Sequence, residues 1–546
     1  MLAQGDLLTR LRAIDVADTV GGADASLVAE WLRGGVRFAA SSEPMQAQYW
    51  RAVRELFTCI KPVSGVDGPI LHEGGVYLGC WLESTGTINA ELLSRFVPSV
   101  AGRTFASFAA QQRDDGLFPY KLTANGPVWS QIQTVTPLAR SVWTHYRLNG
   151  ESRDWLAQIY AAMARNDAWL AEWRDTRGTG GVEAFCTYDT GHDLSPRFWH
   201  VPDSPWGNDP KAYDPNNPLL PFVAPDLTAN VACQRAYLAL IAEELGEDGV
   251  AWRDKSLRSR HALYAHCFDA EDGFFYDLDR NGRHVKVQSD LLLRVLACEI
   301  GDDAFFTEAL ERYLLNTRKF FAKYPFTSIA LDDPRYDPAY DYNSWAGPSN
   351  LLSLIRAPHA FEAHDRHVEL SWVLQPTLSA LWKFERFAQT LHPFTGRNGY
   401  TEAYSPAILC LLDFVERLCG IQPRPDGTLW FTGLTPAQIE HRDARHETAY
   451  GRIVDGIDFE LVNTVTDTTG YRDGEQLFRA PRGVRVVTSR DGTIRALVGM
   501  SAATIEGALE TGGRTIQFHI AANEQLEFDG DTLRSVRTPG LVPPSY

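Results

Sequence analysis

The chain has 546 residues, 44% of them hydrophobic and 22% charged, enough for one large globular domain and a smaller one. Its formal charge of −17 disfavours nucleic acid, anionic membrane surfaces and polyanionic polymers, and leaves neutral or cationic small molecules open. No run approaches the roughly 18 apolar residues of a membrane span, and the first six residues lack the basic and apolar regions of a secretory leader, so a cytoplasmic location is expected.

Residues 1–45 are weakly patterned, with one helix expected over 25–33. Tyr49, Trp50, Val53, Leu56 and Phe57 share one face of a helix over 46–60. Residues 61–83 read as loop and end in the aromatic run Tyr77-Leu78-Gly79-Cys80-Trp81. Helices are expected at 89–112, 128–149 and 154–174. A long irregular segment, 176–225, then carries Phe185, Tyr188, Phe198, Trp199, Trp206, Tyr213 and Phe222. A loop longer than about 12–15 residues is usually functional or disordered, and so many rings point to a packed loop. Further helices are expected at 226–246, 251–268, 288–300, 303–320, 343–357, 367–387 and 405–419, the last with Ser405 as N-cap and Pro406 at its first position.

From about Pro423 the texture changes to strands, at 426–431, 453–465, 484–487, 493–498 and 515–521, with glycine turns at Arg490-Asp491-Gly492 and Thr511-Gly512-Gly513. A dozen helices joined alternately by short and long loops suit an all-α (α/α)6 toroid followed by a C-terminal β-sandwich. The expected domains are 1–421 and 422–546. An irregular helical bundle fits the same helix count.

Tyr188-Asp189-Thr190-Gly191-His192-Asp193-Leu194-Ser195-Pro196-Arg197 sets polar groups among aromatics, a combination that suits carbohydrate. Glu402, in Tyr400-Thr401-Glu402-Ala403-Tyr404, precedes a helix N-terminus, where the dipole favours an ionised carboxylate. Glu83, Asp115, Trp345 and His359 stand in similar surroundings. His359, His364 and His367 are spaced poorly for three converging metal ligands, and no metal is expected. Asp277-Leu278-Asp279-Arg280-Asn281-Gly282 lacks the twelfth-position Glu of a calcium loop and reads as a turn. The eight cysteines form no CxxC pair and read as buried free thiols.

Several of these segments together resemble the glycoside hydrolases of family 63 and their (α/α)6 relatives, the trehalases and mannosylglycerate or glucosylglycerate hydrolases, over most of residues 75–410. Gly191–Arg197 looks like the family's GxDNSPR segment, with Leu194 where Asn is usual. Asp226–Asn230 and Asp272–Asp277 match the two segments that follow it. Tyr342–Pro348 is similar to Y-W-R-G-P, with Ala346 in place of Arg. Tyr400–Pro406 looks like F-x-E-Y-Y-x-P, and Trp81-Leu82-Glu83 takes the place of W-x-D.

The resemblance implies an inverting, exo-acting hydrolase of a small α-glycoside that needs no cofactor. Asp193 would be the general acid, with its proton affinity raised by Asp189, and Glu402 the general base. Trp81, Glu83, Asp115, Tyr188, Asp189, His192, Arg197, Trp345, His359 and Tyr404 are the expected sugar-binding residues. A glycoside phosphorylase, a polysaccharide lyase and a non-catalytic sugar-binding protein are the alternatives. Homo-oligomerisation stays open.

Overall fold

A computed structural model describes residues 4–546 apart from 135, 340, 341, 343, 440–443 and 531. Helices α1 (Gln4–Arg12), α2 (Val16–Thr19) and α3 (Ala25–Gly34) precede a helical body. Within that body a closed circuit runs through α5 (Ile88–Leu93), α7 (Leu138–Asn149), α9 (Pro225–Glu244) and α11 (Leu291–Leu296). It continues through the short pair α13 (Leu351–Leu354) and α14 (Ala357–Glu362) to α16 (Ser405–Cys419), which returns to α5.

Outside the circuit lie α4 (Glu43–Thr58), α6 (Pro98–Ala110), α8 (Arg153–Trp173), α10 (Val250–Cys267), α12 (Asp303–Ala309) and α15 (His367–Leu381). Each packs on an inner neighbour: α4 and α15 on α16, α10 on α9, and Phe306 of α12 edge-on against Phe361 of α14. The inner position explains the sequence of α16. All fifteen of its residues are buried, so apolar residues surround it instead of forming one stripe.

The inner helices begin at one end of the circuit, and the segments leading into them are tied together there. The Thr87 and Thr136 hydroxyls pair ahead of α5 and α7. Asp290, the residue before α11, accepts from Ser353 of α13. The Ser405 amide at the start of α16 donates to the Glu73 carbonyl at 2.8 Å.

Two antiparallel sheets follow. One has six strands in the order 421–423, 428–432, 484–489, 494–499, 525–529 and 532–537; the other has seven, and its C-terminal strands begin at Thr448. Phe431 of the first sheet meets Phe459 and Phe478 of the second edge-on at 5.7 and 5.5 Å, so their apolar faces oppose each other.

The seven-stranded sheet is completed from the other end of the chain. Arg37–Ala40 pairs antiparallel with Thr448–Gly451. Phe38 points onto Tyr49 and Trp382, while Ala39 joins Leu7 and Leu11 of α1 against Ala449 and Val462. Arg37–Ala40 and α1 thus join the β-layer from the far side of the boundary expected near residue 421, while Trp31 of α3 packs on Phe57 and Phe96 of the helical body. A four-residue apolar strand carries too little periodicity to be read alone.

Three further differences have local causes. The helix expected over 89–112 breaks at Pro98, which opens α6. The strand expected over 453–465 is a hairpin, 448–454 and 457–463, turned by Asp455 and Gly456 at φ 51° and 81°. Tyr404, not Ser405, caps α16, and the Ser405 hydroxyl donates instead to the His72 carbonyl. The eight cysteines are all buried and free.

The two layers are joined by a buried ion cluster. Arg95 bonds Asp413 and Glu416 of α16, and Arg452 of the sheet reaches Glu416 from the other side. Removing one partner strands a buried charge at a cost of about 3–5 kcal/mol. Arg452→Ala is expected to lower unfolding stability by about that amount in urea titrations, with Arg452→Lys retaining more than half of it.

Candidate active site

The long loop is held from below by Asp189 and Arg197, both excluded from solvent. Asp189 accepts two bonds from Arg174 (2.6 and 3.2 Å) and one each from the amides of Phe185 and Ile132. Arg197 spreads its guanidinium over Asp226 and Asp277 with four bonds of 2.8–3.1 Å and donates to His192 Nδ1 at 2.5 Å. Nδ1 is therefore an acceptor, and the proton on His192 Nε2 faces Asp290 at 3.1 Å. Burial first, then the cations Arg294 and Arg197, hold this imidazole down at about 3, so it is neutral. Asp189, His192 and Arg197, expected to touch sugar, are instead engaged in holding the loop.

What they hold is Asp193, half-buried, with its carbonyl accepting from the Trp345 amide at 3.2 Å. Gly191 has φ 64°, and a Cβ there would lie 2.0 Å from the Glu83 carboxylate, so only glycine brings this turn onto Glu83. Leu194 takes φ 58° at the rim, a conformation that asparagine tolerates better. Tyr188 and Tyr77 are shifted up by burial and by the Asp193 charge, which places both phenols beside it. Tyr77 packs edge-on against Trp81 and tilted against Tyr404, completing an aromatic wall.

Beside the Asp193 loop lie buried polar side chains. Glu83 is buried with Oε2 unbonded, and Asn89 has both amide atoms unbonded. The Trp345 indole N–H is also unpartnered, and its ring lies under the Arg294 guanidinium at 4.7 Å. Buried polar groups without partners are rare in native folds, and hydroxyl-rich ligands supply the complementary donors and acceptors. Burial pushes the Glu83 carboxyl up to about 8 against the pull of Arg294, with Glu73 and Asp193 adding to the rise.

Three expected residues are not brought here. Asp115 is part-exposed and bonded to Arg113, Lys211 and Trp169. His359 pairs with Glu91 at 2.9 Å in a cavity of about 400 Å³ that also takes Arg417 and Pro423, at the far end of α16. The fifteen residues of that helix put His359 ~20 Å from Tyr404. Glu402 is exposed in a turn whose neighbours Thr401 and Ala403 have φ 64° and 45°. It borders a groove of about 1020 Å³ with Arg386 and Tyr400, and its charge is felt by Glu55 on α4. Asn343 of the Tyr342–Pro348 segment lies outside the described residues.

Sequence reading missed Glu73, Tyr77, Arg294 and Arg356. Glu73 is buried and accepts from Ser84, Thr85 and Tyr404, which ties Tyr404 to the strand below Glu83. Arg294 left a signal: a single cation inside Leu291-Leu292-Leu293-Arg294-Val295-Leu296 has no apolar reason to be there.

The family model for the mannosylglycerate hydrolase MGH1-like glycoside hydrolase domain matches residues 77–405, which hold every group of this site but Glu73. The chain belongs to this family. No curated protein matches it. Among solved structures it resembles the mannosylglycerate hydrolase of Thermus thermophilus, with 17% identity and a TM-score of 0.55 over 67% of this chain and 99% of that one. A sialidase is similar over 89% of this chain and 44% of its own, with 12% identity and a TM-score of 0.59. The neutral trehalase of Saccharomyces cerevisiae covers 64% of this chain and 74% of its own, with 12% identity and a TM-score of 0.50. At these identities the likeness is one of fold alone. No described helix is long and apolar enough to cross a membrane.

The Glu83 carboxyl gives a stability test. Its folded proton affinity lies above that of the unfolded chain, near 4.3, so the folded state holds a proton that the unfolded state has lost between those values. Stability therefore falls as pH rises from about 4.3 to about 8 and flattens above. Glu83→Gln is expected to remove that slope and raise the melting temperature at pH 8 relative to wild type, followed by calorimetry from pH 5 to 9.

Proposed function

We propose that the protein is an inverting, exo-acting glycosidase that hydrolyses a small α-linked glycoside inside an (α/α)6 toroid, with the β-sandwich as its buttress. The carrying observation is the half-buried Asp193, clamped by its backbone beside buried polar groups, Glu83 and the Trp345 indole, that have atoms without partners. Such groups suit the hydroxyls of one terminal sugar ring. Its aglycone then leaves past Tyr188 and Leu194 toward solvent.

In this reading Asp193 protonates the glycosidic oxygen, and Tyr77, Tyr188, Trp81 and Trp345 supply stacking and hydrogen bonds. Glu402 activates the water on the opposite face, as the family pattern implies. Its turn delivers it by rotating the peptides at Thr401 and Ala403, both already held at positive φ. Glu83 also stands beside Asp193, but its burial favours the protonated carboxyl over the carboxylate that a base needs. It is assigned to a sugar hydroxyl. Inversion needs the acid and base about 6.5–9.5 Å apart in the loaded enzyme, against about 5 Å for retention.

Proton NMR of wild type with α-linked disaccharides and glycosylglycerates, beside Asp193→Asn and Glu402→Gln, tests the reading. The first-formed sugar should be the β-anomer, and each variant should lose about 10²–10⁴-fold or more in kcat/KM. First appearance of the α-anomer refutes inversion, and a fully active Glu402→Gln removes Glu402 as the base.

A further inference from the structure

The end of the helical circuit opposite the site end is hollow. The cavity of about 400 Å³ that takes His359 is bounded from every inner position of the circuit. Leu92 lines it from α5, Leu148 from α7, Tyr237 from α9, Glu299 from just past α11, Glu362 from α14 and Arg417 from α16. Gln422 and Pro423, in the first strand of the β-layer, complete the wall. The cavity reaches solvent beside Glu299, whose side chain is 36% exposed. Its volume falls in the range of small-ligand sites and far exceeds the roughly 30 Å³ that one water occupies in the liquid.

Three buried residues on this wall each hold a polar atom with no partner among the described residues: Nε of Arg140, Nε2 of His364 and Oε1 of Gln422. Such atoms are rare in native folds. The Arg140 N–H is a donor and Gln422 Oε1 an acceptor. His364 gives its Nδ1 proton to Asp303 at 2.9 Å, so Nε2 of the neutral ring is a second acceptor. One kind of group both donates and accepts, and that is a hydroxyl. Charge narrows the choice further, because the wall is already balanced. Arg95 bonds Asp413 and Glu416, Arg417 and Arg424 share Glu362, Arg140 faces Glu299 at 3.6 Å, and His359 answers Glu91. The surrounding helix C-termini carry the negative end of the peptide dipole, which disfavours an anion, and four arginines disfavour a cation. Tyr237, its hydroxyl fixed on Glu299 at 2.8 Å, adds a ring and Leu92 and Leu148 add methyls for the C–H faces of a sugar.

We propose that this cavity is a second, non-catalytic site for a neutral polyhydroxylated molecule of monosaccharide size, whose hydroxyls meet Arg140, His364 and Gln422. The hexose released by hydrolysis is the occupant, an identification that rests on the glycosidase reading. The fifteen residues of α16 separate this cavity from the site end, so its occupant does not compete with substrate. A sugar held here bridges the ends of the inner helices and the first strand of the β-layer. It therefore stabilises the folded chain as its concentration rises.

Titration calorimetry and thermal melting with D-glucose, D-mannose and D-galactose, beside D-glucose 6-phosphate, provide the test. One of the neutral hexoses should bind saturably with a Kd of about 1 mM or tighter and raise the melting temperature. The phosphate ester should bind at least about tenfold more weakly than glucose, a difference of 1.4 kcal/mol. Thr144→Trp, from a half-buried position of α7 on the cavity wall, should fill the space, remove that binding event and leave cleavage unchanged. Gln422→Leu should weaken it about tenfold, the worth of one hydrogen bond, and it decides the matter where Thr144→Trp does not fold. Hexose binding that survives both variants but is lost in Trp345→Ala belongs to the catalytic pocket and overturns the inference. Absence of saturable hexose binding up to about 10 mM, or tighter binding of the phosphate ester, overturns it as well. None of these readouts needs turnover, so a failure of the glycosidase reading shows separately, as absence of cleavage.

Discussion

The site end of the helical body depends on one guanidinium. Arg197 is sealed from solvent and bonded to Asp226, Asp277 and His192. Through them it reaches the first turn of α9, the small sheet beside α10, and Asp290 ahead of α11. Each carboxylate alone would be costly to bury. The arrangement survives because the charges satisfy one another with near-ideal geometry. The same contacts fix the imidazole tautomer and the turn through Gly191. Asp193 inherits its position from this network.

Around that network the parallel start of the inner helices creates an electrostatic bias. Their unpaired amides and aligned peptide dipoles direct partial positive charge toward the site end. Asp226 and Asp290 sit where that field is strongest, and Arg197 keeps Asp226 depressed to about 2 despite burial. Glu83, fully buried and beside two other carboxylates, goes the opposite way. Environment alone thus drives these carboxyl groups apart, Asp226 and Asp290 downward and Glu83 upward.

Much of this was legible in the chain. Helices α8, α9, α10 and α16 begin and end within a residue or two of expectation, because local sequence and tertiary packing agree there. The loop carrying Asp193 was visible through its density of rings. Individual roles were not. Asp189, His192 and Arg197 look like ligand-facing groups in sequence, yet their partners, Arg174, Asp290 and Asp277, lie 15 to 98 residues away and nothing local announces them. Glu73 and Arg356 were invisible for the converse reason. Their surroundings in sequence are ordinary, and only ring closure turns them toward the same space. Arg37–Ala40 failed for want of length.

That short strand has a consequence for how the molecule is made. Arg37–Ala40 cannot find its neighbour until Thr448–Gly451 has been synthesised, more than four hundred residues later. At 5–20 residues per second this is a wait of about 20–80 s. Throughout it, Phe38 and the apolar side of α1 have no sheet to rest on, while the helical circuit has all its members before the first β-residue of the C-terminal layer appears. The ring therefore forms first and the sandwich closes last, sewing the beginning of the chain to its end. A molecule assembled in that order carries an exposed, pairing-competent edge for most of its birth, and its yield depends on what shields those four residues as much as on the stability of the finished fold.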